Sequence, residues 1–125
     1  MTGVAASAGA IFGFLSVALG AFGAHALRAR LSPEMQSIYA TAIQYAFYHA
    51  IALLAVAVLA RVFPDFRAQT PTYAFIAGIL IFSGSLIILA LTETRMWGAV
   101  TPIGGVAFLV GWGALAWSGV RGSFS

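Results

Sequence analysis

The chain has 125 residues, of which 62% are hydrophobic and only 7% are charged, whereas soluble domains carry about 25% charged residues. A soluble protein this apolar could not cover its surface with polar groups, so lipid is the expected solvent for most of the chain. Six arginines are scattered over the breaks between apolar runs, and cysteine is absent, which excludes a basic nucleic-acid groove, disulfides, thiolate catalysis and thiolate metal sites.

Four long apolar segments divide the chain, each about 19 to 24 residues in length. A helix of about 20 apolar residues crosses a hydrocarbon core of about 30 Å, and short connections make sequential helices antiparallel neighbours. The sequence therefore predicts an all-α membrane protein, an antiparallel up-down four-helix transmembrane bundle in a single domain over residues 1–125. The predicted spans are residues 4–27, 40–63, 73–91 and 98–120.

The first segment carries small residues at spacings of three and four along one helix face. Apolar burial does not drive helices together in lipid, so close backbone approach through small residues supplies much of the attraction. This face predicts packing within the bundle or, as an alternative, self-association of two chains. It also predicts that Gly13→Leu disturbs packing more than Leu15→Ala does. The small residues are Ala6, Gly9, Gly13, Ser16, Gly20 and Gly23.

The second segment opens with a helix start signal and then carries its polar residues on one face. Ser32 is a candidate N-cap, followed by Pro33 at the first helical position and Glu34 in the first turn. This helix is expected to run from Pro33 to about Val62, which exceeds the thickness of the membrane core. The polar face spans an arc of about 140° at 100° per residue and contains Thr41, Gln44, Tyr45, Tyr48 and His49.

The third segment has a start signal at Thr70-Pro71 and two serines well inside the span. Ser83 and Ser85 are expected at a depth comparable with that of His49. Polar residues within spans usually face the bundle interior or a wet cavity. The segment ends near Glu93 and Arg95, which are expected to form a solvated pair in the following loop.

The fourth segment repeats the spacing of small residues found in the first. Thr101 is expected to open the helix, and Pro102 follows it. The same packing argument applies here, and it selects Gly104 and Gly111 as packing positions. The small residues of this segment are Gly104, Ala107, Gly111, Ala114 and Ser118.

The up-down layout places most polar residues in one half of the membrane. An imidazole in lipid without a partner costs several kcal/mol. His49 is therefore expected to face the interior and to bond to Ser83 or Ser85, or to the first helix near His25. Ordinary roles would explain these residues: His49 bonds to a serine or a carbonyl across the bundle, and His25 satisfies carbonyls at the end of its helix. Tyr45 and Tyr48 would lie in the aromatic belt at the membrane interface. A functional pocket is the alternative. The predicted polar cluster is His25, Gln44, Tyr45, Tyr48, His49, Ser83, Ser85 and Thr101.

Short motifs in all four segments resemble the YgdD-like family of small bacterial membrane proteins, a domain of unknown function to which a eukaryotic transmembrane protein is similar. The resemblance covers nearly the whole chain and implies a four-span inner-membrane protein with both termini in the cytoplasm. It implies no particular activity. Ile87 departs from the family, which often has tyrosine there. The motifs are GAFGAH at 20–25, QY at 44–45, YHA at 48–50, FSGSL at 82–86 and TPIGG at 101–105.

Three functions compete on this reading of the sequence. The first is a structural or accessory protein, not an enzyme, that packs in the lipid bilayer of the inner (plasma) membrane with itself or a larger membrane complex. The second is a small transporter or proton-linked carrier that uses His49. The third is a haem protein with His25 and His49 as axial ligands, although no cofactor and no metal is the favoured expectation. The arginines divide evenly between the two membrane sides, so the charge rule for orientation does not apply.

Overall fold

The computed structural model describes all 125 residues, and four long helices account for most of them. They are α1 (Thr2–His25), α2 (Pro33–Val62), α3 (Gln69–Thr92) and α4 (Trp97–Val120). Each helix is long and apolar enough to cross a membrane, and the structure contains no strand. The fold is thus an all-α antiparallel up-down four-helix bundle, as the sequence predicts.

The start of α2 follows the signal in its sequence, whereas α3 and α4 begin earlier than their signals indicate. The Ser32 hydroxyl accepts a hydrogen bond from the backbone N–H of Met35, and Pro33 opens the helix. In contrast, Thr70 lies inside the first turn of α3, and Thr101 is already one turn inside α4. The residues before α3 and α4 make no side-chain cap, so these two helices begin without the capping hydrogen bond that starts α2.

The helices form a row in chain order, with α2 and α3 in the middle. Helix α1 packs mainly on α2, α3 lies between α2 and α4, and α1 makes no close backbone approach to α4. The largest fully buried side chains come from the two central helices, as shown by Leu53, Val56 and Phe75. The outer helices α1 and α4 therefore present most of their surface to lipid.

A π-helical turn interrupts α3 at Ile79–Ser83. Such turns widen the helix locally and are frequent at functional sites. Nothing in the apolar sequence of this segment indicated the interruption. The turn lies where Ile79 joins the main core and Ser83 is buried against α2, so it sits at the contact between the two central helices.

Glycines on α3 and α4 receive aromatic rings from the opposite helix. A Cβ added at Gly78 would collide with the Phe108 ring, and one added at Gly111 would collide with the Phe75 ring. These two contacts interlock α3 and α4 in both directions. The small face predicted for the fourth segment is therefore the face that packs against α3.

The small face of α1 packs on α2 at three of its glycines. Gly9 lies against the carbonyl oxygen of Ala50, Gly20 lies against Ile43, and Gly23 lies against the Tyr39 ring. Gly13 differs, because no atom lies within 4 Å of the position of an added Cβ. The predicted packing role of Gly13 is wrong: no atom of α2 lies close enough to pack on it, and the expected damage from Gly13→Leu does not follow.

We instead expect Gly9→Leu to destabilise the protein and Gly13→Leu to be tolerated. At Gly9 an added Cβ would lie 2.8 Å from the Ala50 oxygen and 3.0 Å from Leu54. Overpacking of this kind costs about 1–3 kcal/mol. Thermal unfolding in detergent should give a lower midpoint for Gly9→Leu and midpoints near wild type for Gly13→Leu and Leu15→Ala. A larger loss at Gly13 than at Gly9 would contradict this packing.

Candidate functional site

His49 lies at the centre of the bundle with its ring 5% exposed. Its Nδ1 is 2.6 Å from the carbonyl oxygen of Tyr45, and its Nε2 is 3.0 Å from the indole nitrogen of Trp112. A carbonyl oxygen only accepts and an indole N–H only donates. Nδ1 therefore carries the proton and Nε2 accepts, so this hydrogen-bond pattern requires the neutral Nδ1–H form of the ring.

Aromatic rings enclose the imidazole on several sides. The Phe108 ring stacks on it with centroids 3.6 Å apart and an angle of 11° between the planes. Phe75 lies 5.4 Å away between centroids, and Trp112 meets the ring edge-on at 5.9 Å. Three helices thus contribute to one aromatic cluster around a polar ring. The cluster shields both hydrogen bonds, which strengthens them in this apolar surrounding.

The partner of His49 on another helix is Trp112 of α4, which corrects the prediction of a partner on α3 or α1. Depth explains the error. His49 is 16 positions along α2 from Pro33, and Trp112 is 15 positions along α4 from Trp97, so the two residues are level. The serines of α3 lie nearer the start of α2, since the Ser83 hydroxyl reaches the carbonyl oxygen of Ala42, which precedes His49 by about 10 Å along the helix axis.

The two serines of α3 bond to different neighbours. The Ser83 hydroxyl donates to the carbonyl oxygen of Ala42 on α2 at 2.7 Å. Ser85 and Thr101 of α4 share a hydrogen bond of 2.6 Å between their hydroxyls. Residues two apart on a helix point in nearly opposite directions, so one serine joins α3 to α2 and the other joins α3 to α4.

Polar side chains therefore connect every neighbouring pair of helices, and one further hydrogen bond joins α4 to α2. Tyr39 of α2 donates its hydroxyl to the Leu19 carbonyl oxygen of α1, the two serines connect α3 to its neighbours, and Trp112 reaches from α4 to α2. Tyr39 and Trp112 were not predicted as site residues. The one indication in the sequence was their position along the helices. Tyr39 lies level with the small residue Gly23 of α1, and Trp112 lies level with the polar residue His49 of α2.

Three residues of the predicted cluster lie elsewhere. His25, Gln44 and Tyr48 are exposed and bond to no other helix. His25 is separated from His49 by roughly 20 Å along the helix axes, at 1.5 Å per residue. Both nitrogens of His49 are already engaged, so the two histidines do not fit axial ligation of one haem. No group of three His, Asp or Glu side chains is placed to hold a metal ion.

An ion pair outside the membrane joins the α3–α4 loop to the start of α2. Arg95 donates two hydrogen bonds to the carboxylate of Glu34, each 3.2 Å long. These bonds and the charge of Glu34 raise the pKa of Arg95 above its ordinary value. The expected pairing of Arg95 with Glu93 is wrong, because Glu93 ends α3 in a left-handed conformation, and Glu34 offers both carboxylate oxygens.

We expect Arg95→Ala to leave thermal stability unchanged. Both side chains are largely exposed, and exposed ion pairs contribute little because water and salt screen them. Thermal unfolding of Arg95→Ala and of Glu34→Ala in detergent should overlay the wild-type curve at physiological salt. A clear loss for both variants would show that this pair anchors the loop.

These features define a multi-pass integral membrane protein whose four helices are joined by buried polar contacts around one histidine. The chain belongs to the DUF423 family, described as protein of unknown function, whose model matches residues 19–105. Membership confirms the predicted family resemblance.

Named relatives cover most of the chain. The UPF0382 membrane protein YwdK of Bacillus subtilis is 44% identical over 83% of this chain and 85% of its own length. The protein SSP2132 of Staphylococcus saprophyticus is 43% identical over 83% and 86%. The UPF0382 inner membrane protein YgdD of Escherichia coli K12 is 38% identical over 90% and 86%. No solved structure matches the chain. The protein is thus a multi-pass protein of the inner (plasma) membrane.

Proposed function

We propose that the protein is a non-enzymatic structural or accessory subunit that needs no cofactor and packs in the bilayer with itself or with a larger membrane complex. One observation carries the proposal: polar side chains inside the bundle, His49 among them, bond to other helices and hold them together. Ser83, Ser85 and Trp112 each bond to a neighbouring helix. Such bonds stabilise a rigid membrane body.

The outer surface of α4 supports association with a partner. Helix α4 ends the row, and large apolar side chains project from it, with Leu109 71% exposed and Trp117 63% exposed. The adjacent small residue Gly113 has open space around it. Small and large residues side by side give a surface on which another helix can pack closely.

The transporter alternative is less well supported by this site. A proton-linked carrier needs an ionisable group that exchanges partners along a wet path. His49 is enclosed by aromatic rings, and it lines none of the four main cavities. The Trp112 N–H donates a hydrogen bond to Nε2 of His49, which is the nitrogen that would have to take up a proton. The geometry therefore favours a structural role for His49.

Site-specific photo-crosslinking in native membranes tests the proposal. A photoreactive residue at Leu109, which is exposed, should give a discrete protein adduct, either a dimer or a complex of fixed mass. The same residue at the adjacent Phe108, 5% exposed, is the matched control and should give none. If exposed positions on α1 and α4 react with lipid alone, the accessory role fails. Proton flux into liposomes that His49→Gln abolishes would favour the carrier instead.

The orientation implied by the family resemblance gives a further prediction. With both termini in the cytoplasm, an alkaline phosphatase fused after Ser125 should be inactive, and a green fluorescent protein fused there should be bright. A phosphatase fused in the loop between α1 and α2, after Arg30, should be active. The opposite pattern at the two positions would reverse the orientation.

A further inference from the structure

A continuous groove runs along the exposed side of the contact between α1 and α2, and three adjoining cavities form it. The cavity at the loop end has a volume of about 450 Å³ and is lined in part by Arg28 and Gln44. The middle cavity, about 250 Å³, shares Ile43 and Gln44 with it. The third, about 520 Å³, shares Val17 and Phe47 with the middle one. Shared lining residues therefore join the three cavities in sequence from the loop into the membrane.

The walls of the groove inside the membrane are apolar, and Gly13 lies in its floor. Phe14, Phe47 and Ile51 line this part and are all exposed. The absence of a side chain at Gly13 leaves open space beside it. This explains why the small face of α1 continues through Gly13, although no residue of α2 packs there.

The loop end of the groove is polar and carries an unpaired cation. Arg28 is exposed, and its guanidinium forms neither an ion pair nor a hydrogen bond within the chain. The Gln36 side chain donates to the carbonyl oxygens of Arg28 and Leu31, at 2.6 Å and 2.9 Å. These two bonds hold the loop backbone, so the charge of Arg28 stays at the mouth of the groove.

The distance along α1 from the loop end of the groove to Gly13 matches one membrane leaflet. From Ala24 to Gly13 the axis of α1 rises by about 16 Å, and half of a hydrocarbon core is about 15 Å. A chain that starts at the loop would reach the bilayer centre beside Gly13. Arginine binds phosphate with a fork of two N–H donors, and basic pockets between membrane helices bind anionic headgroups.

We propose that this groove binds one anionic phospholipid from the leaflet on the side of the α1–α2 loop, with its phosphate at Arg28 and an acyl chain beside Gly13. A second copy of the chain is a less suitable occupant of the groove, because it offers few free carboxylates to pair with the positive charge of Arg28. Of its three acids, Glu34 is engaged by Arg95, Asp65 lies in the α2–α3 loop on the other side of the membrane, and only Glu93 remains. This proposal goes beyond the accessory role and is independent of it.

Native mass spectrometry of the full chain in detergent tests the site, with dioleoyl phosphatidylglycerol as the anionic lipid and dioleoyl phosphatidylcholine as the zwitterionic one. We expect one phosphatidylglycerol to bind about tenfold more tightly than phosphatidylcholine, a ratio set by the charge at Arg28. Arg28→Gln should remove this preference, and Arg28→Lys should retain part of it. Arg30→Gln, in the same loop but outside the groove lining, is the matched control and should bind as wild type does.

Gly13→Leu tests the membrane part of the groove. The added Cβ meets no atom within 4 Å, and the cavity of about 520 Å³ beside Gly13 has room for the rest of the side chain. The thermal midpoint should therefore remain at the wild-type value while affinity for phosphatidylglycerol falls by about threefold or more. Glycerol phosphate, which has the headgroup chemistry but no acyl chain, should fail to displace the lipid.

Four results would overturn the proposal. They are equal binding of the two lipids, an equal loss in Arg28→Gln and Arg30→Gln, unchanged lipid binding in Gly13→Leu, and a wild-type dimer that Gly13→Leu separates. The last result would identify a second copy as the occupant of the groove. Displacement of the lipid by glycerol phosphate would identify a site for free phosphate.

Discussion

Gly104→Leu is expected to separate α3 from α4 and to destabilise the protein severely. A Cβ at this position would lie 2.7 Å from the Cα and the Cβ of Phe82. The obstacle is largely backbone, which cannot rotate aside as a side chain does, and it lies in the π turn of α3. We expect a loss of about 3 kcal/mol or more, at the upper end of overpacking costs, with a clearly lower thermal midpoint in detergent.

Gly113→Leu is the matched control for this substitution. Gly113 lies on the same helix, and no atom approaches the position of its added Cβ within 4 Å. Both substitutions have the same helix propensity and the same added volume, so a difference between them reports packing alone. Similar midpoints for the two variants would show that α3 and α4 do not pack as closely as the structure indicates.

His49→Leu is expected to give the second largest loss of stability. The variant leaves the Trp112 N–H unpaired in an apolar surrounding, at about 1–3 kcal/mol, and removes the stacking on Phe108, worth about 0.5–1.5 kcal/mol. We expect the free energy of unfolding to fall by about 2–4 kcal/mol in total, since the two losses add. His25→Leu is the control, since His25 is exposed and unbonded, and it should unfold as wild type does.

A double-mutant cycle with Trp112→Phe isolates the hydrogen bond between the two rings. Bonds between membrane helices measured in this way contribute about 0.6 kcal/mol on average and up to about 1.7 kcal/mol, so a coupling in this range is expected.

Nitrogen NMR of labelled histidine should also show His49 protonated at Nδ1. A proton on Nε2 of the neutral ring would contradict the contact with Trp112, whatever the stability data show.

The architecture could be predicted from composition and segment length, because helices are the only way for such a chain to satisfy its backbone in lipid. The start of α2 was also predictable, since Ser32 and Pro33 form a specific cap. The interior orientation of His49 followed from the cost of an unpaired imidazole. Each of these rests on a local or energetic rule that needs no knowledge of neighbouring helices.

The partners inside the bundle could not be predicted in the same way. Pairing of His49 with Trp112 depends on how far α2 projects beyond the membrane, which sequence spacing within α2 does not show. The open space at Gly13 depends on which positions of α1 touch α2, and the π turn depends on contacts of α3. The regular spacing of small residues was correct for Gly111 and misleading for Gly13, because spacing selects a face without showing where another helix touches it.

The bond between Trp112 and His49 also bears on how the protein is made. Synthesis proceeds from the N-terminus at about 5–20 residues per second, so roughly 3 to 13 s separate the appearance of the histidine from that of its partner. During this interval Nε2 of His49 has no donor, and the space beside Gly78 is not yet filled by the Phe108 ring of α4. A nascent protein that stops before α4 has an unpaired polar ring in lipid, which costs several kcal/mol.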